Sequence, residues 1–268
     1  MDSRSRIYQF SKFKVHMFEG YIQQTPILEY KDKILIMDGG CRSDVASIID
    51  YIKNVMNRPL SDVKLVIASH IHPDHAGGVS LFKRLFHFDT AAPLGINSWY
   101  SGLLGGIQHK IDIALGHYVA SAHNYPFKFM YYPRFVKSEY ILRDNASVPF
   151  FEDWIVYSAE GHTNHDVIFY NHDENILYAA DVVLKVKNKL MFPIPVSFPE
   201  KIRKSIKFIR SLGADKIFLA HGGCITGEDF AKEYEKLFDL AEKLEHTPPS
   251  GGVLYRLTRI TPEVKKNV

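Results

Sequence analysis

Between positions 69 and 78 the chain reads Ser69-His70-Ile71-His72-Pro73-Asp74-His75-Ala76-Gly77-Gly78, and nothing else in the sequence limits the fold as strongly. The preceding run, Val63-Lys64-Leu65-Val66-Ile67-Ala68, is apolar but for one lysine. Such a run, closed by a polar turn, reads as a buried strand that delivers its C-terminal end to a site. Side chains alternate along an extended segment, so His70 and His72 point the same way and can share one cation. The turn at Pro73 re-aims Asp74 and His75, which can hold a second ion beside the first. Imidazole and carboxylate suit zinc, iron or manganese. A surface loop that happens to be rich in histidine is the competing explanation. Asp-His and Gly-Gly directly after a strand favour metal binding over it.

At 268 residues, with 46% hydrophobic side chains, the chain is long enough for a sizeable core and reads as globular. The formal charge is only +3 and no dense Lys/Arg block stands out, so charge gives no reason to expect nucleic acid. Cys41 and Cys224 are far apart and form no disulfide framework, which fits a reducing compartment. Residues 1–6 lack the apolar core of a signal peptide, and no apolar stretch is long enough to span a bilayer. The expectation is a cytoplasmic protein that acts on a small molecule, without a membrane.

Strands are expected over Arg6–Phe10, Phe13–Phe18, Pro26–Tyr30 and Ile34–Met37, the last ending in Asp38-Gly39-Gly40. Asp38 is either a turn former or a brace for metal ligands. Ser43 can cap a helix to about Asn57, with Val45, Ile48, Ile49, Ile52, Val55 and Met56 on its buried stripe. A short helix is expected near Val79–Leu85. From 92 to 150 aromatic residues and glycines crowd together, and Ile96, Tyr100, Leu103, Leu104, Ile107, Ile111, Leu115 and Tyr118 have helical spacing, bent at Gly105-Gly106. This helical insertion is core-packed, a lid over an apolar pocket, or a face for a homodimer. Strand and helix then alternate again. Trp154–Ala159 leads into Gly161-His162-Thr163-Asn164-His165-Asp166. Val167–Tyr170 and Asn175–Ala180 form a hairpin that ends at Asp181, a helix from Pro199 stops at Gly213, and Lys216–Ala220 ends at His221. A last helix covers about Glu228–Glu245, and Pro248-Pro249 begins a turn or linker.

His70, His72, Asp74, His75, His162, Asp181 and His221 therefore all lie just past expected strands. Strands of one sheet end side by side, so these residues can converge around two divalent ions, about 3.5–4 Å apart in two-metal hydrolytic sites. His70, His72 and His162 are assigned to one ion and Asp74, His75 and His221 to the other, with Asp181 as the bridge. Zinc is the first choice of metal, with iron or manganese as the others.

The order of these motifs resembles that of the metallo-β-lactamase superfamily: His-x-His-x-Asp-His, then a Gly-His, an aspartate after a strand, and a late histidine. Asp38 matches an early aspartate of that pattern. The resemblance implies an α/β fold of four layers, the αβ/βα sandwich, as a single domain over 1–268 with 92–150 inserted. It also implies a dinuclear hydrolase whose bridging hydroxide attacks a carbonyl or phosphoryl centre, with Asp74 and Asp181 orienting the nucleophile and relaying its proton. No thiol nucleophile is required, and Cys224 is expected to be structural.

Departures from the pattern narrow the choice. Class B1 lactamases carry a cysteine where this chain has Asp181, and B3 enzymes lack the bridging aspartate. Flavo-diiron proteins carry a glutamate in place of His72. Glyoxalase II-like thioesterases and acyl-homoserine lactonases share the full set, although here His165-Asp166 replaces their second Gly-His. An ester, lactone or thioester of a small molecule is the expected substrate. The alternatives are a phosphodiesterase or nuclease on the same site, or a mononuclear iron dioxygenase. His165 reads as a neighbour of the site rather than a ligand. Lys185, Lys187 and Lys189 read as a solvated strand face rather than an anion site.

Overall fold

A computed structural model of the protein describes residues 5–193 and 196–246. The chain divides into two compact units. One takes in the chain up to Ile96 together with 112–142 and 148–152; the other takes in 97–111, 143–147 and the chain from Asp153 on.

The first unit is built on a seven-stranded sheet whose spatial order follows the chain. Strands β1 (Ser5–Gln9), β2 (Phe13–Glu19), β3 (Gln24–Tyr30) and β4 (Ile34–Ile36) run antiparallel in succession. After α1 (Val45–Asp50) the sense changes, and β5 (Val63–Ile67) lies parallel to β4. Then come α2 (Val79–Phe86), β6 (Thr90–Pro93), α3 (Gly102–Ala122) and β7 (Tyr140–Leu142), with β5, β6 and β7 also parallel. Every residue of β4 is buried, as are all of β5 but Lys64. Such unbroken apolar runs belong to central strands covered on both faces.

The expected helix from Ser43 to Asn57 is broken up. A 3₁₀ turn at Arg42–Asp44 precedes α1, and a π-helical turn, Tyr51–Val55, follows it. The wider turn shifts the helical register. Tyr51 is thereby buried, its hydroxyl 2.9 Å from His16 Nδ1, while Val55, assigned to the buried stripe, is exposed.

The second sheet holds β8 (Ala146–Val148), β9 (Phe151–Ser158), β10 (Val167–Asn171) and β11 (Ile176–Tyr178). A separate hairpin follows, β12 (Leu184–Val186) and β13 (Lys189–Met191), then α4 (Pro199–Leu212), β14 (Lys216–Leu219), β15 (Gly223–Thr226) and α5 (Gly227–His246). The sheet order is β15-β14-β11-β10-β9-β8, and β11 and β14 run parallel. One apolar cluster joins this sheet to α4 and α5 through Ile168, Leu177, Ile202, Ile206, Ile217, Phe230 and Leu237. Pro199 at the start of α4 and left-handed Gly213 at its end fall where the sequence places them. The linker expected at Pro248-Pro249 lies outside the described residues.

The 92–150 segment departs most from expectation. Its C-terminal end is strand rather than helix: β7 joins the first sheet and β8 the second. A 3₁₀ turn at Ile96–Ser98 comes first, and α3 starts at Gly102 and runs through Gly105-Gly106 without interruption. Gly105 is required there, because a Cβ would fall 2.2 Å from the backbone carbon of Tyr100. Leu103 (83% exposed) and Tyr118 (66%), both placed on the apolar stripe, face solvent, while Gln108, His109 and Asp112 are buried. Leu104 and Ile107 are exposed as well, whereas Ile96 and Tyr100 are buried and Ile111 and Leu115 half-buried, so only part of the expected stripe is core.

On β3, Glu29 meets three basic side chains: His16 Nε2 at 3.1 Å, Arg58 Nη1 at 3.3 Å and Lys14 Nζ at 3.4 Å. The hydrogen bond from His16 does most to lower its carboxyl from the ordinary 4.5 to about 2, helped by the Lys14 charge and opposed by burial. The folded state thus releases this proton more readily than the unfolded state. The stability it contributes is present above pH 4.5 and is lost as pH falls towards 2. Urea titrations across this range should show Glu29→Gln flattening the acid limb by about 1–2 kcal/mol, solvent screening of the part-exposed carboxylate included.

Candidate metal centre

In the first unit the donors gather where β4 and β5 end side by side. Asp38, two residues past β4, has a left-handed φ of 69° and is fully buried. Its Oδ1 accepts the backbone N–H of Ser69 at 2.6 Å, and its Oδ2 accepts the Ser69 hydroxyl at 3.0 Å and pairs with His75 Nδ1 at 2.8 Å. Asp38 is therefore a brace and not merely a turn former. A carboxylate on Nδ1 fixes the His75 ring and leaves Nε2 as the lone-pair donor.

The two turns interlock through backbone. Gly39 N donates to His75 O at 2.8 Å, and Gly78 N donates to Gly40 O at 3.0 Å. A Cβ on Gly77 would lie 2.0 Å from Pro73 O, and one on Gly78 would lie 2.2 Å from Gly39 O. The Gly-Gly pair after the histidines is thus a packing requirement. His70 and His72 stand edge to face with ring centres 4.8 Å apart, and His70 and His75 are 4.0 Å apart. Ser69 Oγ lies 3.1 Å from His70 Nδ1, and Asp74 Oδ2 lies 3.8 Å from His75 Nε2. His70, His72, Asp74 and His75 are therefore brought together at one strand end, as the motif suggests.

In the second unit His162, Asp181 and His221 follow β9, β11 and β14. Asp181 turns one oxygen to each histidine: Oδ2 is 3.8 Å from His162 Nε2, and Oδ1 is 3.5 Å from His221 Nε2. The parallel pairing of β11 with β14 carries Asp181 and His221 to neighbouring strand ends. Ala180, just before Asp181, has φ 45°, a strained setting for a residue with a Cβ. Gly161 has φ 151°, and a Cβ there would come within 2.6 Å of the Ile202 backbone on α4. Gly222 is fixed in the same way by Lys185, whose N–H donates to His221 O at 2.9 Å.

His165 hydrogen-bonds Asn164 at 3.0 Å and meets Trp99 edge to face at 5.9 Å. The Lys185–Lys189 stretch is a hairpin rather than a continuous strand face, turning at left-handed Lys187 and Asn188. Cys224 stays protonated at neutral pH, because burial pushes its thiol up to about 11.

Three residues absent from the expected ligand set and its braces matter here. Ser69 links Asp38 to the histidines. Asp166 holds the 161–166 turn by accepting from Gly161 N at 3.1 Å, Thr163 N at 2.6 Å and Thr163 Oγ1 at 2.6 Å. Burial raises the Asp166 carboxyl, with the charge of His162 and the Thr163 bonds opposing it. The Thr163-x-x-Asp166 spacing was the available signal. Asp112, on α3, lies 3.5 Å from His72 Nε2. Only its place on a helix of helical-period apolar residues marked it, and that pointed the wrong way.

Residues 27–221 match the model of the metallo-β-lactamase superfamily, and the chain belongs to that superfamily. This places it among metallo-hydrolases of the αβ/βα fold, as the order of its motifs implied. The probable metallo-hydrolase YflN of Bacillus subtilis (strain 168) is 23% identical over 227 residues, 78% of this chain and 82% of that protein. A metallo-β-lactamase from Erythrobacter litoralis shares the fold with a TM-score of 0.63 at 13% identity, covering 91% of this chain and 99% of that one. FIM-1 from Pseudomonas aeruginosa, solved in a mono-zinc form, gives 0.62 at 15% identity, covering 90% and 96%.

The backbone clash at Gly77 yields a direct test. Gly77→Ala should lower stability by about 1–3 kcal/mol or more, as overpacked sites do, with the midpoint of denaturant unfolding as the measurement. An unchanged midpoint would mean that the Pro73–Gly77 turn is not as tight as described.

Proposed function

We propose that the donor sets of the two units close around two divalent ions, within one domain over 1–268, and that the protein hydrolyses an ester, lactone or thioester of a small molecule. The observation that carries this reading is Asp181, which turns one carboxylate oxygen towards each of two histidines from different strands. A carboxylate so placed has the two oxygens that a bridge between cations needs. His70, His72 and His162 are assigned to one ion, Asp74, His75 and His221 to the other, and Asp181 to both.

The donor chemistry fits. Neutral imidazoles steadied on their far nitrogen by Asp38 or Ser69, together with carboxylates, are the set that borderline divalent metals take. Zinc is the proposed metal, supported by the mono-zinc form of FIM-1; iron or manganese would suit the same donors. When bound, such ions supply Lewis-acid polarisation and a source of hydroxide at neutral pH, a single zinc already bringing water to a pKa of about 7. Asp74 and Asp181 would orient the attacking water, and Asp74 would take its proton on the carboxylate oxygen not committed to a cation. No thiolate takes part, since Cys224 is protonated.

The substrate class rests on two features. Asp181 stands where class B1 lactamases carry cysteine, which separates this site from antibiotic hydrolysis. Exposed Tyr118, Tyr125, Phe127, Phe129 and Tyr131 suit an apolar acyl group more than a polynucleotide. A reducing, cytoplasmic setting is proposed from two free cysteines, of which Cys41 is buried. Among the described residues no helix is long and apolar enough to cross a membrane.

Metal analysis combined with lactone, thioester and bis-p-nitrophenyl phosphate substrates tests the reading. Two equivalents of metal and turnover of a lactone or thioester are expected, and Asp181→Ala should cut kcat/KM by about 10²–10⁴-fold. Turnover of the phosphodiester alone would move the protein to the nuclease branch. One iron with oxygen uptake would replace hydrolysis by dioxygenase chemistry.

A further inference from the structure

Helix α3 buries Ala120 and packs Ile113 against an apolar cluster, but over its first half polar groups face inward and apolar ones outward. Leu103, Leu104, Ile107 and Tyr118 are exposed, while Gln108, His109 and Asp112 are buried. A carboxylate that is 5% exposed, as Asp112 is, costs several kcal/mol unless a cation or strong donors face it. Among the groups that face Asp112 is His72, with Oδ2 at 3.5 Å from Nε2. We infer that Asp112 is a positioning residue: it holds the Nε2–H side of His72, fixes the tautomer, and leaves Nδ1 as the atom offered to a metal.

The neighbouring histidines support this by their own arrangement. His75 is held at Nδ1 by Asp38, and His70 has Ser69 Oγ at its Nδ1, so both offer Nε2. His72 lies two residues beyond His70, its ring turned 88° from the His70 ring. Held on its opposite nitrogen, it presents the other edge. Each histidine of the motif thus has one ring nitrogen beside a neighbouring side-chain oxygen. Two of the braces come from the strand-end turns, and the third comes from α3. Asp112 therefore ties metal loading to the placement of this helix. A partner of this kind raises ligand basicity and locks ring orientation, and its removal typically costs about 10–100-fold in metal affinity.

This inference rests on the two-ion reading, and the test separates the two. Zinc affinity is measured by chelator competition, and site geometry by the visible spectrum of the cobalt-substituted protein, for the wild type, Asp112→Ala and Asp112→Asn. Thermal unfolding of the metal-free proteins runs alongside. The expected result is two equivalents in the wild type, a roughly 10–100-fold weaker affinity for one equivalent in Asp112→Ala with a shifted cobalt band, and partial recovery in Asp112→Asn, whose amide oxygen can still accept from Nε2–H. If Asp112→Ala does not fold, the Asn variant carries the measurement. Wild-type affinity and an unchanged cobalt spectrum in the variants would overturn the inference while leaving the two-ion centre intact. Loss of a whole equivalent in Asp112→Asn, as severe as in His72→Ala, would also overturn it, because Asp112 would then be a ligand itself. A wild type that binds no metal would bring down the two-ion reading first and this inference with it.

Discussion

The arrangement of the histidine motif depends on one buried carboxylate. Asp38 receives the Ser69 amide, the Ser69 hydroxyl and His75 Nδ1 on two oxygens, all in a region without solvent. Hydrogen bonds to a charged group contribute about 1.5–3 kcal/mol each, and a buried carboxylate stripped of its partners is among the most destabilising of defects. The geometry follows from strand order. β4 and β5 are parallel neighbours, so the residues just past them are neighbours too, and a turn from one can grip the turn from the other. Once that grip is in place, the paired glycines bring the backbones into contact and α2 starts from the end of the motif.

The second unit repeats the principle with a different device. Its sheet is antiparallel wherever pairing is set by short turns, as between β10 and β11, and parallel where β11 meets β14 after the α4 crossover. Functional groups in α/β proteins collect at the C-terminal ends of parallel strands, because only there do two chain ends leave the sheet together. Asp181 and His221 occupy such a place. The strained Ala180 and the glycines at 161 and 222 show what it costs locally to turn the chain so sharply at that edge.

The parts legible in the sequence were those governed by local chemistry. An apolar run ending in His-x-His-x-Asp-His, Pro199 and Gly213 bounding a helix, and the β10–β11 hairpin each carry their signal within a few residues. Asp38 was visible as a turn residue, but its partners Ser69 and His75 lie more than thirty positions on, and only strand pairing reveals them. The π turn at Tyr51–Val55 was not legible, because one extra residue per turn leaves the composition unchanged while moving Val55 out of the core. Short strands such as β7 and β8 have too few residues for a period to show.

Helix α3 failed for a more instructive reason. Helical periodicity of apolar residues marks the buried face only when burial of that face is what the helix is for. Here Leu103, Leu104, Ile107 and Tyr118 stay in solvent, forgoing about 1.5–3 kcal/mol for each large one that could have been buried, while Ala120 and Ile113 pack inward against Tyr21, Cys41 and Met130. The inward side carries an amide, an imidazole and a carboxylate, each of which must be met by a polar partner or be costly to bury. Apolar packing of Ile113 and Ala120 against Tyr21, Cys41 and Met130 accounts for only part of this helix's orientation. The rest is set by what its inner face has to touch, and Asp112 beside His72 is the clearest of those contacts.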